Sequence, residues 1–288
     1  MAAEALHIEL LHSCPSACLA CDHRLAGPAR LPAAALEPVF AERKFRELGL
    51  VSFSGGEPLL HPELGAIMRS AAGAFPAAAL VLLTSLHDGE KAVSLLRSLP
   101  PALLARLHVG SSLDGPQDVH DSMRGLPDAF ARLKTSLALL KKEFPRLSTG
   151  LTFTATRRNA AHFYDAWLEA EQMGSPLGLQ FLVPNANTEG LELRAGDRKK
   201  LAAALRAVLA RARSANLEAA LTFLESGQPS GTCGAGRTFF MLSPEGQFYL
   251  CPFHKEITAP LSALQTLRPR LTSPASATCK SCFLRCAQ

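Results

Sequence analysis

Short apolar runs alternate with amphipathic segments over the first two thirds of the chain. Apolar runs bounded by turn-forming residues predict buried strands, and apolar residues that recur every three to four positions predict helices. The predicted strands span residues 6–11, 50–53, 79–83, 106–111, 150–156 and 177–183. The predicted helices span residues 28–49, 62–74, 89–99, 128–144 and 161–173.

This βα alternation predicts parallel strands joined by right-handed crossovers. Six βα units are too few to close an eight-stranded barrel, so we expect an α/β fold that forms a partial (β/α)6 barrel. In such folds the loops that follow the carboxyl ends of the strands build the functional site. Unusual sequences at those ends are therefore the first candidates for chemistry.

The pattern changes after a basic amphipathic helix predicted over residues 196–216. Residues 227–236 are rich in Gly, Pro, Ser and Thr, and two apolar runs then flank Ser-Pro-Glu-Gly at 243–246, which predicts a hairpin. We therefore expect two domains. The barrel would span residues 1–216, and a small α+β domain would span residues 217–288.

Composition narrows the class of protein. The 288 residues are 48% hydrophobic and 19% charged, which is typical of a globular chain. The net charge of +5 is scattered, so nucleic-acid binding is not expected. The N-terminus lacks the features of a signal peptide, and no apolar run is long enough to cross a membrane, so we expect a cytoplasmic protein that does not bind membranes. In that reducing compartment, eight cysteines are better explained as metal ligands than as disulfides.

Three of these cysteines, Cys14, Cys18 and Cys21, directly follow the first predicted strand with gaps of three and two residues. A four-iron cluster held by three thiolates keeps one iron open to another ligand. Two alternatives remain at this point. The three thiols could hold zinc together with His12 or His23, or they could simply pack as small apolar residues.

The loops after other strands decide between these alternatives. Gly-Gly-Glu-Pro stands at 55–58 after the second strand, and Ser112-Leu-Asp-Gly stands after the fourth, with Arg124 twelve residues beyond Ser112. Together with the cysteine triplet, these motifs resemble the radical S-adenosylmethionine (SAM) enzymes over nearly the whole chain. That resemblance implies a [4Fe-4S] cluster on the triplet and SAM bound at its open iron.

The resemblance also implies roles for individual residues. Gly55 and Gly56 would let the backbone approach the methionyl part of SAM, and Glu57 would meet its ammonium group. Ser112 would bind the ribose or the carboxylate, and Arg124 would pair with the carboxylate. Asp114 is expected to form a turn. Weaker candidates that line the nucleoside pocket are Ser85 and Leu179.

The C-terminal part resembles the SPASM/Twitch extensions that carry auxiliary clusters. It contains five cysteines, and a closed cluster needs four ligands. We therefore expect one auxiliary [4Fe-4S] cluster, with a zinc site as the alternative. The cysteines are Cys233, Cys251, Cys279, Cys282 and Cys286. Two departures from the family stand out. Ala20 replaces the usual aromatic residue before the third cysteine of the triplet, and Pro252 stands where sulfatase-maturing relatives have an acidic residue.

These features predict an enzyme that abstracts hydrogen from a peptide or protein, while the auxiliary cluster accepts an electron or holds the substrate. An electron donor such as flavodoxin or ferredoxin would be needed. The thirteen residues before Cys14 cannot form a leader-binding domain, so a separate partner would supply one. The alternatives are a radical SAM dehydrogenase of a sugar or cyclitol and a non-catalytic metal-binding scaffold.

Overall fold

A computed structural model describes residues 3–228, 233–271 and 282–283. Within these ranges nine strands form one sheet in the order β6-β5-β4-β3-β2-β1-β7-β8-β9. The strands are β1 (Ala5–Glu9), β2 (Leu50–Ser54), β3 (Ala79–Leu83), β4 (Leu107–Ser112), β5 (Ser148–Ala155), β6 (Leu177–Phe181), β7 (Phe239–Leu242), β8 (Gln247–Cys251) and β9 (His254–Pro260).

Helices connect the first six strands, lead from β6 to β7, and follow β9. They are α1 (Ala33–Ala41), α2 (Leu64–Ala74), α3 (Gly89–Arg97), α4 (Pro101–Leu104), α5 (Gln117–Arg124), α6 (Ala129–Glu143), α7 (Phe163–Gln172), α8 (Ala195–Leu209), α9 (Ala215–Ser226) and α10 (Leu267–Arg270). None of the helices in the described ranges is both long enough and apolar enough to cross a membrane.

Strands β1 to β6 pair in parallel with their neighbours in chain order. Because the sheet has two edges, at β6 and at β9, it does not close into a barrel. The predicted α/β class with an open parallel sheet is therefore confirmed. Because the six strands are parallel, their carboxyl ends all lie at the same end of the sheet. The predicted site residues follow these strand ends.

The helices cover the sheet with their apolar faces. In α2, for example, the buried residues Leu64, Ile67, Met68 and Ala71 recur at the spacing of one helix face. The strands contribute fully buried side chains such as Leu80. Burial of these side chains removes a large apolar area from water, which is the main term that stabilises the fold.

Two predicted helices are shorter than expected. The helix predicted over 28–49 is α1 followed by a separate turn, because Glu42 adopts an extended conformation and its carboxylate accepts a hydrogen bond from the Lys44 N–H. The helix predicted over 196–216 ends at Leu209, and Ser214 caps a new helix, α9, by accepting from the Leu217 N–H.

The C-terminal strands continue the same sheet. The predicted hairpin is confirmed, since β7 and β8 pair antiparallel across residues 243–246. Strand β7 pairs in parallel with β1, and Phe240 and Phe248 pack against Phe45 with ring-centre distances of 5.5 and 6.2 Å. The predicted division between residues 216 and 217 lies inside α9 and stays a prediction.

Candidate functional site

A cleft of about 450 Å³ opens at the carboxyl ends of the parallel strands. We call it the main cleft. It brings together eight residues that the sequence predicted for the site, although they come from five separate loops and strand ends. These residues are Cys14, Cys18, Cys21, Gly55, Gly56, Ser85, Ser112 and Arg124.

The three thiols of the triplet share one wall of the main cleft. Burial raises the pKa of Cys14, and it raises the pKa of Cys21 to about 11. The Cys14 and Cys21 thiols therefore hold their protons more firmly than free thiols, and a metal ion would have to displace those protons when it binds. In the described ranges, no three His, Cys, Asp or Glu side chains are already arranged as a metal site.

The glycine loop packs against the backbone that leads into the triplet. Gly55 has a φ of 120°, and a Cβ at this position would lie 2.5 Å from the Leu11 carbonyl oxygen. The Gly56 N–H donates to the same carbonyl at 2.6 Å, and the Glu57 N–H donates to the Ser13 carbonyl at 2.9 Å. Both glycines line the cleft, and a Cβ at either position would collide with the backbone of residues 10–13.

The Glu57 side chain is fully buried and forms hydrogen bonds within the protein. Its carboxylate accepts from the Thr84 hydroxyl at 2.6 Å and from the Ser85 hydroxyl and N–H at 2.5 and 2.9 Å. Burial alone would raise the pKa of Glu57, but nearby His87, Ser85 and Thr84 lower it below the usual 4.5. In this structure Glu57 joins the loops after β2 and β3, and its expected contact with SAM stays a prediction.

Arg124 is the last residue of α5 and lies beside the triplet. Its guanidinium pairs with the Asp114 carboxylate at 2.6 Å and lies 3.8 Å from the Cys18 sulfur. Asp114 also accepts from the Thr154 N–H at 3.2 Å, so this residue positions Arg124 as well as forming the turn. Burial opposes the charge on Arg124, but the Asp114 carboxylate and Cys18 raise its pKa.

One nitrogen of the Arg124 guanidinium is not satisfied by these contacts. The Arg124 Nε is buried and has no hydrogen-bond partner among the residues that the structure describes. A buried donor without an acceptor is costly, so an anionic group in the cleft would stabilise it. Three soft sulfur ligands beside an unsatisfied cationic donor fit an iron-sulfur cluster with a carboxylate ligand next to it.

Leu179 does not contribute to the main cleft. It lies in β6, is only 2% exposed and packs in the apolar core. The next residue, Gln180, lines the cleft instead. This difference follows from the alternation of side chains along a strand, since a shift of one residue moves a side chain to the opposite face.

Two asparagines were not predicted from the sequence. The Asn187 side-chain nitrogen lies 3.1 Å from each of the carbonyl oxygens of Cys18, Leu19 and Cys21. The Asn185 amide donates to the Ala20 carbonyl at 3.2 Å. The loop after β6 therefore holds the backbone of the triplet. The available signal was the Pro-Asn-Ala-Asn sequence at 184–187, which directly follows a predicted strand.

The auxiliary cysteines are partly described. Cys251 lies at the end of β8, and burial raises its pKa to about 11, with a smaller contribution from neighbouring Cys233 and Cys282. These three thiols therefore lie near one another. Cys279 and Cys286 lie outside the described residues, so the predicted ligand set stays a prediction.

No protein-family model matches the chain. The AdoMet-dependent heme synthase of Oleidesulfovibrio alaskensis is 29% identical over 142 residues, which are 48% of this chain and 34% of that protein. The AdoMet-dependent heme synthase of Methanosarcina barkeri is 30% identical over 61% of this chain and 50% of its own length. The chain thus spans a third to a half of these two relatives. Mycofactocin maturase MftC of Mycobacterium ulcerans is 26% identical over 85% of this chain and 67% of its own length.

Solved structures share the fold over most of the chain. The structure of anSMEcpe with bound AdoMet has a TM-score of 0.69 at 18% identity and covers 95% of this chain and 78% of its own. Streptococcus suis SuiB bound to its precursor peptide SuiA has a TM-score of 0.69 at 13% identity and covers 98% of this chain and 70% of its own. The chain is similar in sequence to AdoMet-dependent enzymes and shares its fold with a solved structure that binds AdoMet. The resemblance inferred from the motifs is therefore confirmed.

Proposed function

We propose that this radical SAM relative is an enzyme that abstracts a hydrogen atom from a peptide or protein substrate. The observation that carries the proposal is the convergence of the cysteine triplet, the glycine loop, Ser112 and Arg124 on one cleft. The names of MftC as a maturase and of SuiB with its precursor peptide support a peptide substrate.

The chain's own residues would hold and shield the cofactors. Cys14, Cys18 and Cys21 would bind a [4Fe-4S] cluster, and Arg124 would offer its unpaired Nε to the carboxylate of SAM. Ser112 lines the same cleft and would bind the ribose or the carboxylate of SAM. When bound, the cluster and SAM supply a reductive cleavage that yields a 5′-deoxyadenosyl radical, which takes the hydrogen atom from the substrate.

A second cluster would serve the same reaction. Cys233, Cys251 and Cys282 would contribute ligands to one auxiliary [4Fe-4S] cluster, with the fourth ligand from Cys279 or Cys286. Its role would be to accept an electron from the substrate or to hold the substrate. Reduction of the first cluster requires a donor of the flavodoxin or ferredoxin class. Thiolate ligands favour a reducing compartment, so we propose the cytoplasm.

A small-molecule substrate is the second candidate. The observation that favours it is the similarity to two AdoMet-dependent heme synthases, although each is matched over half of its length or less. The same cleft would then receive a small substrate instead of a peptide segment. The two candidates share the cofactor chemistry and differ in the source of the hydrogen atom.

The test uses the anaerobically reconstituted protein with SAM and a reductant, and it measures 5′-deoxyadenosine. We expect the product from the wild type and none from Cys18→Ala, whereas Cys282→Ala is expected to retain SAM cleavage because it alters the auxiliary site. Deuterium transfer from a labelled peptide into 5′-deoxyadenosine would support the peptide substrate. Transfer from a labelled small molecule would favour the second candidate, and zinc without iron after anaerobic purification would refute both.

A further inference from the structure

The main cleft is continuous with a second cavity of about 410 Å³ between the triplet loop and the C-terminal strands. We call this second space the side cavity. Five residues line both spaces, so a molecule that enters the side cavity reaches the wall of the main cleft. The shared residues are Glu9, Asp22, His23, Tyr249 and Lys255.

Glu9 stands where the two spaces meet. It is the last residue of β1, opposite Ser54 of β2, and its side chain is only 13% exposed. The ionisable nitrogen beside it, His23 Nε2, is 3.8 Å away, which is too long for a hydrogen bond. A mostly buried carboxylate is costly to keep ionised, so a further donor brought by a ligand would stabilise it.

Tyr249 provides an independent observation at the same place. The residue is 4% exposed and lines both spaces, and among the described residues its buried hydroxyl makes no hydrogen bond of good geometry. A phenol oxygen can accept a hydrogen bond as well as donate one. Burial raises the pKa of Tyr249, and the Glu9 carboxylate lies close enough to this hydroxyl to raise it further, so the two groups face each other and can accept from one ligand group together.

The charged residues around the side cavity favour a positively charged ligand group. Its lining contains three carboxylates and one lysine. Lys255 already pairs with Asp22 at 3.2 Å, and Glu245 accepts from His12 at 2.5 Å. Glu9 is therefore the carboxylate of the side cavity that remains for a ligand.

We propose that Glu9 and Tyr249 bind the positively charged side chain of a Lys or Arg residue in the peptide substrate. An ammonium group has three donors, so it can donate to the Glu9 carboxylate and to the Tyr249 oxygen together. The bound residue lies between the triplet loop and β8, which places the adjoining part of the peptide at the main cleft. This inference rests on the proposed function and names a recognition element of the same site.

The test compares two peptide probes that differ in one charge. Acetyl-Gly-Lys-Gly-amide and its norleucine counterpart are titrated into the reconstituted protein with SAM, and binding is measured from the line broadening of the probe in proton NMR spectra. We expect the lysine probe to bind about tenfold more tightly than the norleucine probe, as a desolvated charge pair requires. Glu9→Gln should remove this preference, and Tyr249→Phe should reduce it about threefold.

Glu37→Gln is the matched control, since Glu37 is an exposed carboxylate of α1 that lines neither the main cleft nor the side cavity. It changes the net charge as Glu9→Gln does and should retain the preference for lysine. Equal binding of the two probes, no binding of either, or a preference that survives in Glu9→Gln would overturn the inference. Formation of 5′-deoxyadenosine is scored separately, so a failure of the subsite is distinguished from a failure of the proposed function.

Discussion

At the scale of the residue, Glu57 shows how a single side chain orders the site. Its carboxylate accepts four hydrogen bonds, from the Leu59 N–H and from three donors of Thr84 and Ser85. All of them favour the ionised form, because an ionised carboxylate only accepts. The buried charge therefore ties the glycine loop to the end of β3.

Glu57→Gln tests this role. The NH2 group of the glutamine would face hydrogen-bond donors of Leu59, Thr84 or Ser85 that now donate to Glu57. We therefore expect a loss of about 2 kcal/mol in the free energy of unfolding at pH 7. Since the folded-state pKa of Glu57 is lowered, its contribution is complete above pH 4.5 and is lost as the pH falls through the folded-state value. The difference between the variant and the wild type should therefore shrink in acid.

Urea unfolding at pH 7 and below pH 4.5 measures both effects. Glu47→Gln serves as the control because Glu47 is exposed, and it should change stability little at either pH. A Glu57→Gln variant as stable as the wild type at pH 7 would argue against the role.

At the scale of the element, the loop after β6 acts as a clamp on the triplet loop. Asn185 accepts from the Asn187 N–H at 2.9 Å, and the Asn185 N–H donates to the Thr188 hydroxyl at 2.9 Å. These bonds stiffen the loop, so the Asn187 amide is held in place for the three carbonyls around Cys18 and Cys21. An amide nitrogen has two hydrogens, which the three carbonyl oxygens must share.

Asn187→Asp should weaken cluster binding without abolishing folding. The new carboxylate would face three carbonyl oxygens, which repel it and open the triplet loop. We expect at least a twofold loss of iron retained per chain after reconstitution and gel filtration, with a weaker iron-sulfur absorbance. Asn216→Asp is the control, because Asn216 also bonds backbone carbonyl and N–H groups but does so at Leu179. Equal iron in Asn187→Asp and the wild type would contradict the clamp.

The elements differ in how far the sequence predicts them. The strands were predictable because buried parallel strands are continuous apolar runs, as in β3. The break between α8 and α9 was missed because the helical spacing of apolar residues continues through it, and only Ser214 signals the new start. Cys14 and Arg124 were found through local motifs, whereas Asn187 contacts residues 166 to 169 positions away. Single-sequence patterns contain no signal for such long-range contacts.

At the scale of the whole molecule, the sheet joins the two predicted domains. Strand β7 extends the parallel sheet beside β1, and Phe45 from the N-terminal half packs against Phe240 and Phe248. The shared sheet and the shared aromatic packing couple the unfolding of the N-terminal and C-terminal parts. We therefore expect one cooperative transition rather than two.

Phe240→Ala provides the measurement, with Trp167 as the reporter. Trp167 is the only tryptophan of the chain and lies in α7, remote in sequence from β7. If the halves are coupled, the variant should lower the stability reported by Trp167 fluorescence by about 3 to 5 kcal/mol. Phe75→Ala, a fully buried change in the N-terminal half, is the positive control. An unchanged Trp167 transition in Phe240→Ala would instead support two independent domains.

The edge of the sheet at β6 has a consequence for association between molecules. Asn216 accepts from the Leu179 N–H at 2.7 Å and donates to the Leu179 carbonyl at 3.2 Å, so its side chain takes the place of one residue of a neighbouring strand. The opposite edge strand, β9, contains Lys255, Glu256 and Pro260. Charged residues and proline disfavour the addition of a foreign strand. Both open edges of the nine-stranded sheet are thereby protected against edge-to-edge aggregation.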